Sequence, residues 1–221
     1  MITVHHLENS RSQRVLWLLE ELGVTYTVIR YSRDPRTLLA PAALKALHPL
    51  GKAPIVEWNG RVLAETGYIL ETLCEGLNGG SRLIPPEGTE AHDALRYFMH
   101  YAEGSAMPPL VMGLVFSRLP INAPALIRPL VKAIADKTRS GFITPQITAH
   151  LDFMDKALAA SGWFAGPDFS LADIMMSFAV EAAASRADLS NSPNLKAFLQ
   201  RIHARPAYKA ALARGGPYAY A

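Results

Sequence analysis

The sequence predicts two domains in series, a small α/β unit followed by an all-helical one, and three observations carry that expectation. Up to about residue 80, β-branched runs alternate with apolar residues at helical spacing. A Gly- and Pro-rich stretch follows, Asn78-Gly79-Gly80-Ser81 and then Pro85-Pro86-Glu87-Gly88. Beyond it nearly every segment has the periodicity of a helix. With 221 residues, half of them hydrophobic, the chain can build a full-sized core and does not have the composition of a disordered protein.

Along the chain, Ile2 to Leu7 is a short β-branched run. Ser12 to Leu22 carries Val15, Leu16, Trp17, Leu18, Leu19 and Leu22 at helical spacing, and Gly23 is a natural stop. Thr25 to Tyr31 is β-branched and aromatic, which completes a βαβ unit with a right-handed crossover. Thr37 to Leu47 reads as a weaker helix interrupted by Pro41. Between Pro54 and Ala64 two short strands flank Asn59-Gly60, a strong signal for a tight hairpin turn. A helix opens at Thr66. The order βαβαββα predicts a mixed sheet in residues 1–80, a linker at 81–88 and a helical domain over 89–221. In that second half, helices are expected over Glu90 to Tyr101, Leu110 to Phe116, Ile143 to Ala160, Ser170 to Ser185, Leu195 to Ala204 and Pro206 to Ala213. Met107-Pro108-Pro109 is expected to interrupt the first of these, and Pro120, Pro124 and Pro129 to punctuate the stretch after Phe116.

Composition excludes several classes of function. Lys and Arg number 22 against 19 Asp and Glu, and a scattered excess of +3 is no nucleic-acid footprint. No apolar run approaches the roughly 18 residues of a membrane span, and Met1 to His6 lacks the features of a signal peptide. The expectation is a soluble cytoplasmic protein. The single cysteine, Cys74, can form neither an internal disulfide nor a metal cluster, and its spacing with Ile69, Leu70 and Leu73 places it in the core. Adjacent His5 and His6 on a strand point to opposite faces, so they are no metal pair, and no metal is expected.

Three polar segments are candidates for chemistry. Glu8 to Arg14, with Asn9, Ser10 and Ser12, joins a strand to a helix start, where α/β folds place ligands and where unpaired N–H groups meet a positive dipole end. Ser10 or Ser12 there caps the helix, donates to an anion, or does both. His48 to Val56 contains Lys52 and Ala53 before Pro54, which opens a strand. Glu65-Thr66 at a helix start suits a zwitterion, the carboxylate taking an ammonium while Thr66 and the helix N–H groups take a carboxylate.

Together these residues resemble the cytosolic glutathione transferases: βαβαββα with a proline opening the third strand and Glu-Thr opening the last helix, then a helical half in which Ser170 and Asp173 have capping-box spacing. The stretches Asn9 to Leu22 and Tyr97 to Pro109 look like the bacterial and fungal, yeast-type branch, and the resemblance covers essentially the whole chain. It implies a thioredoxin-like first domain and glutathione as co-substrate, with no other cofactor. Ala53, before cis-Pro54, would meet the cysteinyl part; Glu65 and Thr66 the γ-glutamyl end; Lys52, with His48 nearby, the glycyl carboxylate. Ser10 stands four residues before Arg14, as the activating serine does in serine-type members, with Asn9 and Ser12 as competitors. A hydrophobic electrophile would lie between the domains against Tyr101, Met107 and Leu110, with Val111 and Leu114 beyond. His100 and Glu103 fall where the helical domain faces the site. The resemblance also implies a homodimer, for which Arg14, Glu71 and Tyr97 are candidate contacts.

The implied chemistry is modest in magnitude. A thiol of pKa about 8.5 is only ~3% thiolate at pH 7, and lowering it by about 2 units requires ~2.7 kcal/mol. A hydroxyl hydrogen bond to the anion supplies about 1.5–3 kcal/mol and the helix terminus ~0.3–1. The expected activity is attack of the thiolate on electrophiles, with hydroperoxide reduction alongside; the rival expectation is a glutathione-binding regulatory module with little turnover.

Overall fold

The computed structural model describes residues 1–37 and 39–220. Four strands form one mixed sheet in the order β2-β1-β3-β4. Strand β1 (Ile2–Leu7) runs parallel to β2 (Thr27–Tyr31) and antiparallel to β3 (Ile55–Trp58), which pairs with β4 (Arg61–Ala64). The parallel β1–β2 pair is joined through α1 (Gln13–Leu22), the crossover expected of a βαβ unit, and α1 ends on Gly23 in the left-handed conformation. Asn59 and Gly60 both have positive φ, 51° and 74°, as a two-residue hairpin of the expected type requires. Helix α2 (Ala43–Leu47) and helix α3 (Thr66–Gly76) complete the βαβαββα order.

Two local expectations are corrected. Helix α2 starts at Ala43 rather than Thr37, because Asp34 captures the backbone there: its Oδ1 accepts from the N–H groups of Arg36 (3.0 Å) and Thr37 (2.7 Å) and from the Thr37 hydroxyl (2.9 Å). Pro41 further disfavours helix in the residue before it. The second correction is at Met107-Pro108-Pro109, which does not interrupt the helical path. Helix α4 (Glu90–Tyr101) passes through a π-helical turn at Ala102–Ala106 straight into α5 (Met107–Asn122). The prolines fall in the first turn after the widened π turn, where a missing N–H costs least. Pro120 likewise sits inside α5, near its end.

The rest of the chain is α6 (Arg128–Thr138), a second π turn at Arg139–Ile143, α7 (Thr144–Leu158), α8 (Leu171–Ala184), α9 (Pro193–Ala204) and α10 (Pro206–Gly215). A 3-10 turn, Gly80–Leu83, lies inside the stretch read as linker. It folds back so closely that a Cβ on Gly80 would stand 1.9 Å from the Cys74 carbonyl oxygen.

One apolar core runs through both halves. Helix α1 lies at its centre and packs on α3, α8 and α10. Trp17, fully buried, meets Tyr208 edge-on at 5.2 Å and Phe169 at 5.5 Å between ring centroids. Helix α8 is buried along nearly its whole length, and its start is the predicted capping box. Asp173 accepts from the backbone N–H of Ser170 (2.8 Å) and of Phe164 (2.8 Å). Burial pushes the Asp173 carboxyl up to about 6, against these hydrogen bonds. Among the described residues no helix is long and apolar enough to cross a membrane.

Candidate functional site

The ends of β1, β3 and β4 bring their flanking loops to one side of the sheet. There a cavity of about 280 Å³ is lined by His48, Lys52, Ala53, Pro54, Glu65 and Thr66, together with Leu50 and Ala64. The Ala53–Pro54 peptide is cis. Six residues singled out from two separate segments of sequence thus share one cavity. Arg11 and Glu103 close it from the side of the helical domain.

Each wall follows from its local structure. Glu65 is the residue before α3, and its backbone has φ 72° and ψ 121°, a conformation that non-glycine residues rarely adopt. Such strain persists only where surrounding structure enforces it, and it gathers at ligand sites. Thr66 is nearly buried at the first turn of α3, an 11-residue helix whose unpaired N–H groups favour an anion. Lys52 is exposed and also lines the cavity, as does His48 at the end of α2. The cavity therefore offers cations, a carboxylate and a helix terminus, the set required by a peptide carrying an ammonium group and two carboxylates.

The loop after β1 is ordered by a separate set of contacts. Asn9 has φ 49°, and its Oδ1 accepts from the backbone N–H of Ala219, 2.7 Å away, so its side chain is committed to the C-terminal tail. Ser10 is 6% exposed and is not among the residues lining the cavity. Its Oγ accepts from the Ser12 N–H (3.2 Å) and lies 2.7 Å from Ser12 Oγ. Ser12 is fully buried and reaches His6 Nδ1 at 2.8 Å. The Ser12 side chain, at the N-cap position, makes no capping hydrogen bond to α1.

Sequence reasoning gave Arg11 no role, yet it lines the cavity. Its Nε donates to both carboxylate oxygens of Glu103 at 2.9 Å, and its guanidinium lies 5.2 Å from the centre of the Phe178 ring. The available signal was a cation beside the serines at a helix start. Arg14, expected as a contact of a homodimer, is instead buried inside the chain. Its Nη2 donates to Glu103 Oε1 (2.6 Å) and its Nη1 to the Met175 carbonyl (2.7 Å), which leaves nothing for a partner to touch.

The residues expected around an electrophile do not share one cavity. Tyr101 lines an open cavity of about 530 Å³ with Tyr97 and His100, and its hydroxyl lies 2.6 Å from His150 Nδ1. Leu110 lines a different one of about 630 Å³, with Leu114, Ile143, Ile147 and Leu151 as apolar walls and Arg118, Arg139 and Arg186 among its polar ones. Met107 is buried in the core. Cys74 is buried as expected, and desolvation pushes its thiol up to about 12, so it is no nucleophile. His5 and His6 face opposite ways, His5 toward Tyr31 and Glu57 and His6 toward Ser12.

Comparison with known proteins agrees with this architecture. Residues 10–75 match the family model for the glutathione S-transferase N-terminal domain, and residues 126–215 that for the C-terminal domain. Glutathione S-transferase 3 of Schizosaccharomyces pombe is 36% identical over 215 residues, covering 96% of this chain and 86% of the relative. A crystal structure of a glutathione S-transferase from Actinobacillus pleuropneumoniae superposes with a TM-score of 0.80 at 28% identity, covering 100% of this chain and 95% of the other. A sphingomonad glutathione S-transferase complexed with glutathione superposes with a TM-score of 0.72 at 25% identity, covering 97% and 98%.

Proposed function

The chain belongs to the glutathione S-transferase family, and from that premise we propose how its own residues carry out glutathione transfer. One observation carries the reading: Lys52, Ala53, cis-Pro54, Glu65 and Thr66, taken from separate segments, converge on one cavity with the charges glutathione requires. In this reading Glu65 takes the γ-glutamyl ammonium, and Thr66 with the first N–H groups of α3 takes its carboxylate. The Ala53 backbone meets the cysteinyl residue. Lys52, with His48 beside it, takes the glycyl carboxylate, and Arg11 adds a second cation.

The thiol gives up its proton to water, and Ser10 favours that ionisation because its hydroxyl donates a hydrogen bond to the resulting thiolate. Ser10 lies behind the cavity lining, next to Arg11, which is part of it, and just before α1, whose positive end adds to the stabilisation. Asn9 and Ser12 are weaker candidates: the Asn9 carbonyl oxygen is committed to the Ala219 N–H, and Ser12 is fully buried between Ser10 and His6. The thiolate then forms a bond to the electrophilic carbon of an apolar substrate, and the leaving group departs with the electron pair. The apolar walls of Leu110 and Leu114 support this half of the chain as the place of the second substrate, with Tyr101 on the neighbouring open cavity and Met107 in the core. Residues 1–80 form the glutathione-binding domain, 81–88 the connection and 89–221 the second domain. The protein works in the cytoplasm as a homodimer, with exposed Tyr97 as a contact.

The deciding experiment titrates the thiol of bound glutathione by ultraviolet absorbance in the wild type and in Ser10→Ala, with an aryl-halide conjugation assay beside it. The expected result is a depressed thiol pKa that the substitution returns to the value of free glutathione, with loss of turnover. Tight binding with an unshifted pKa in the wild type would instead make the protein a binding module.

A further inference from the structure

Behind Ser10 lies a chain of buried polar groups that the transferase reading leaves unused. Ser10 Oγ stands 2.7 Å from Ser12 Oγ, and Ser12 Oγ stands 2.8 Å from His6 Nδ1. All three residues are more than nine-tenths buried, so water does not complete their hydrogen bonding. We propose that His6 is a positioning residue for the transferase reaction: carrying its hydrogen on Nδ1, it acts through Ser12 to leave the Ser10 hydroxyl hydrogen free for the glutathione thiolate. The proposal rests on Ser10 being the group that activates the thiol.

Counting hydrogens leads to this role. A hydroxyl donates one hydrogen bond and accepts two. Ser12 Oγ already accepts from the Leu7 N–H at 3.2 Å, so one acceptor position remains for Ser10 and His6. Its one hydrogen has the Leu7 carbonyl at 3.2 Å as a third acceptor, farther than Ser10 Oγ at 2.7 Å or His6 Nδ1 at 2.8 Å. If His6 Nδ1 is bare, Ser12 donates to it, and Ser10 must donate inward to Ser12. Ser10 then turns lone pairs toward the ligand, which repel a thiolate. If Nδ1 carries the hydrogen, Ser12 accepts it and donates to Ser10 Oγ. Ser10 accepts from the Ser12 N–H as well, at 3.2 Å, so both of its acceptor positions are filled. Its own hydrogen has no other partner among the described residues and is left for the ligand. Three bonds aligned head to tail, His6 to Ser12 to Ser10 to sulfur, also polarise one another.

The surroundings of the other ring nitrogen favour that tautomer. His6 Nε2 faces the end of α10, where a Cβ on Gly215 would lie 3.2 Å from it and 2.7 Å from Gln13 Oε1. Gln13 is buried, and neither its Nε2 nor its Oε1 has a hydrogen-bond partner in the structure. The structure shows no hydrogen bond between Gln13 and His6 Nε2 in either orientation of the amide, so the Gln13 carbonyl oxygen places no demand for a hydrogen on Nε2. Arg30 is docked on the same helix end, donating to the carbonyls of Arg214 (2.7 Å) and Ala213 (3.2 Å), and its charge favours a lone pair on the imidazole nitrogen. Burial, with Arg30 acting in the same direction and Glu8 opposing, lowers the His6 pKa to about 4. The ring therefore stays neutral in the working range and acts through its hydrogen bond rather than through charge.

The test compares His6→Phe, which removes the donor, with His6→Asn, whose amide nitrogen can occupy the place of Nδ1. The expected result for His6→Phe is a rise of about one unit in the bound-thiol pKa and a fall of about tenfold in kcat at neutral pH. The KM for glutathione should change by less than about twofold, the pattern of an interaction expressed in the reaction rather than in binding. His6→Asn should restore most of both. Added to Ser10→Ala, His6→Phe should shift the thiol no further. A folded His6→Phe protein with an unshifted thiol, in a chain where Ser10→Ala does shift it, overturns the proposal and leaves the reading of Ser10 intact. No shift in Ser10→Ala overturns both. Nitrogen-15 correlation spectra of the wild-type imidazole with glutathione bound decide the tautomer without any substitution, and a hydrogen on Nε2 there also overturns the proposal.

Discussion

Glu103 Oε1 lies 2.6 Å from Arg14 Nη2, so a carboxylate at the π turn of the helical domain is held by a buried guanidinium on the first helix of the α/β domain. Arg11 holds the same carboxylate from the cavity side, at 2.9 Å to each oxygen. This pairing joins the two domains at the wall of the cavity lined by Lys52, Glu65 and Thr66, and it makes the relation between them an electrostatic as well as an apolar one.

Glu103→Ala should destabilise the protein by about 3–5 kcal/mol, since it strands the Arg14 cation in a site that is 2% exposed. The pH dependence has a definite sign. Burial opposes ionisation of Glu103, but Arg14 and Arg11 outweigh it and hold the carboxyl below its ordinary value of 4.5. Its contribution is therefore present above the unfolded-state pKa and is lost as pH falls through the folded one. Thermal midpoints measured from pH 6 down to about 3 should drop for the wild type, and a Glu103→Gln variant should lack that component.

Glu65→Gly should separate stability from binding. Glycine accepts φ 72° without steric cost, so the thermal midpoint should hold or rise, by up to about 1 kcal/mol in stability. Glutathione affinity should fall by about 10- to 100-fold, the loss of one charge-assisted hydrogen bond. Calorimetric titration with glutathione beside a melting curve checks both. A destabilised variant that binds normally would remove Glu65 from the site.

The capping box of α8 should be worth more than an ordinary cap because it is buried. Asp173→Ala leaves the N–H groups of Phe164 and Ser170 without their acceptor and should cost about 3 kcal/mol. Urea unfolding should show a lower midpoint at unchanged slope, with the KM for glutathione little altered in the protein that remains folded.

Cys74 should be silent in catalysis. Its thiol is buried and pushed up to about 12 by desolvation, with Glu75 and Glu71 adding to the shift, so a thiol reagent should not label the native protein at neutral pH. Cys74→Ala should retain conjugation activity at a cost in stability of about 1 kcal/mol. Inactivation of the folded variant would point to a cysteine-dependent reaction.

Much of the site was legible because its residues stand at element boundaries. A proline opening β3 and an acid-hydroxyl pair opening α3 announce themselves by punctuation, and both lie on the cavity. Arg11, Glu103 and His6 carry no such mark. The resemblance places Glu103 on the side facing the site, but its partners, like those of a cation in a polar loop and a histidine in a strand, appear only when folding brings together residues 92, 89 and 6 apart in sequence. The two misread helices failed for local reasons: the Asp34 side chain outcompeted the helix at Thr37, and a π turn made room for Pro108 and Pro109.

The sequence by itself missed helix α6, where Pro129 reads as a break, but it determined the βαβαββα order of the first domain, the hairpin at Asn59-Gly60, the capping box at Ser170 and Asp173 and the family of the fold. These depend on contacts within a few residues or on periodicity along one element, which the chain carries in its own spacing. Tertiary structure alone decided that Arg14 is buried rather than available to a partner, that Tyr101 and Leu110 line different cavities, and that His6, Ser12 and Ser10 form one line of hydrogen bonds. Such outcomes depend on which side of an element faces the core and on the direction of individual donor groups, and no one-dimensional pattern specifies either.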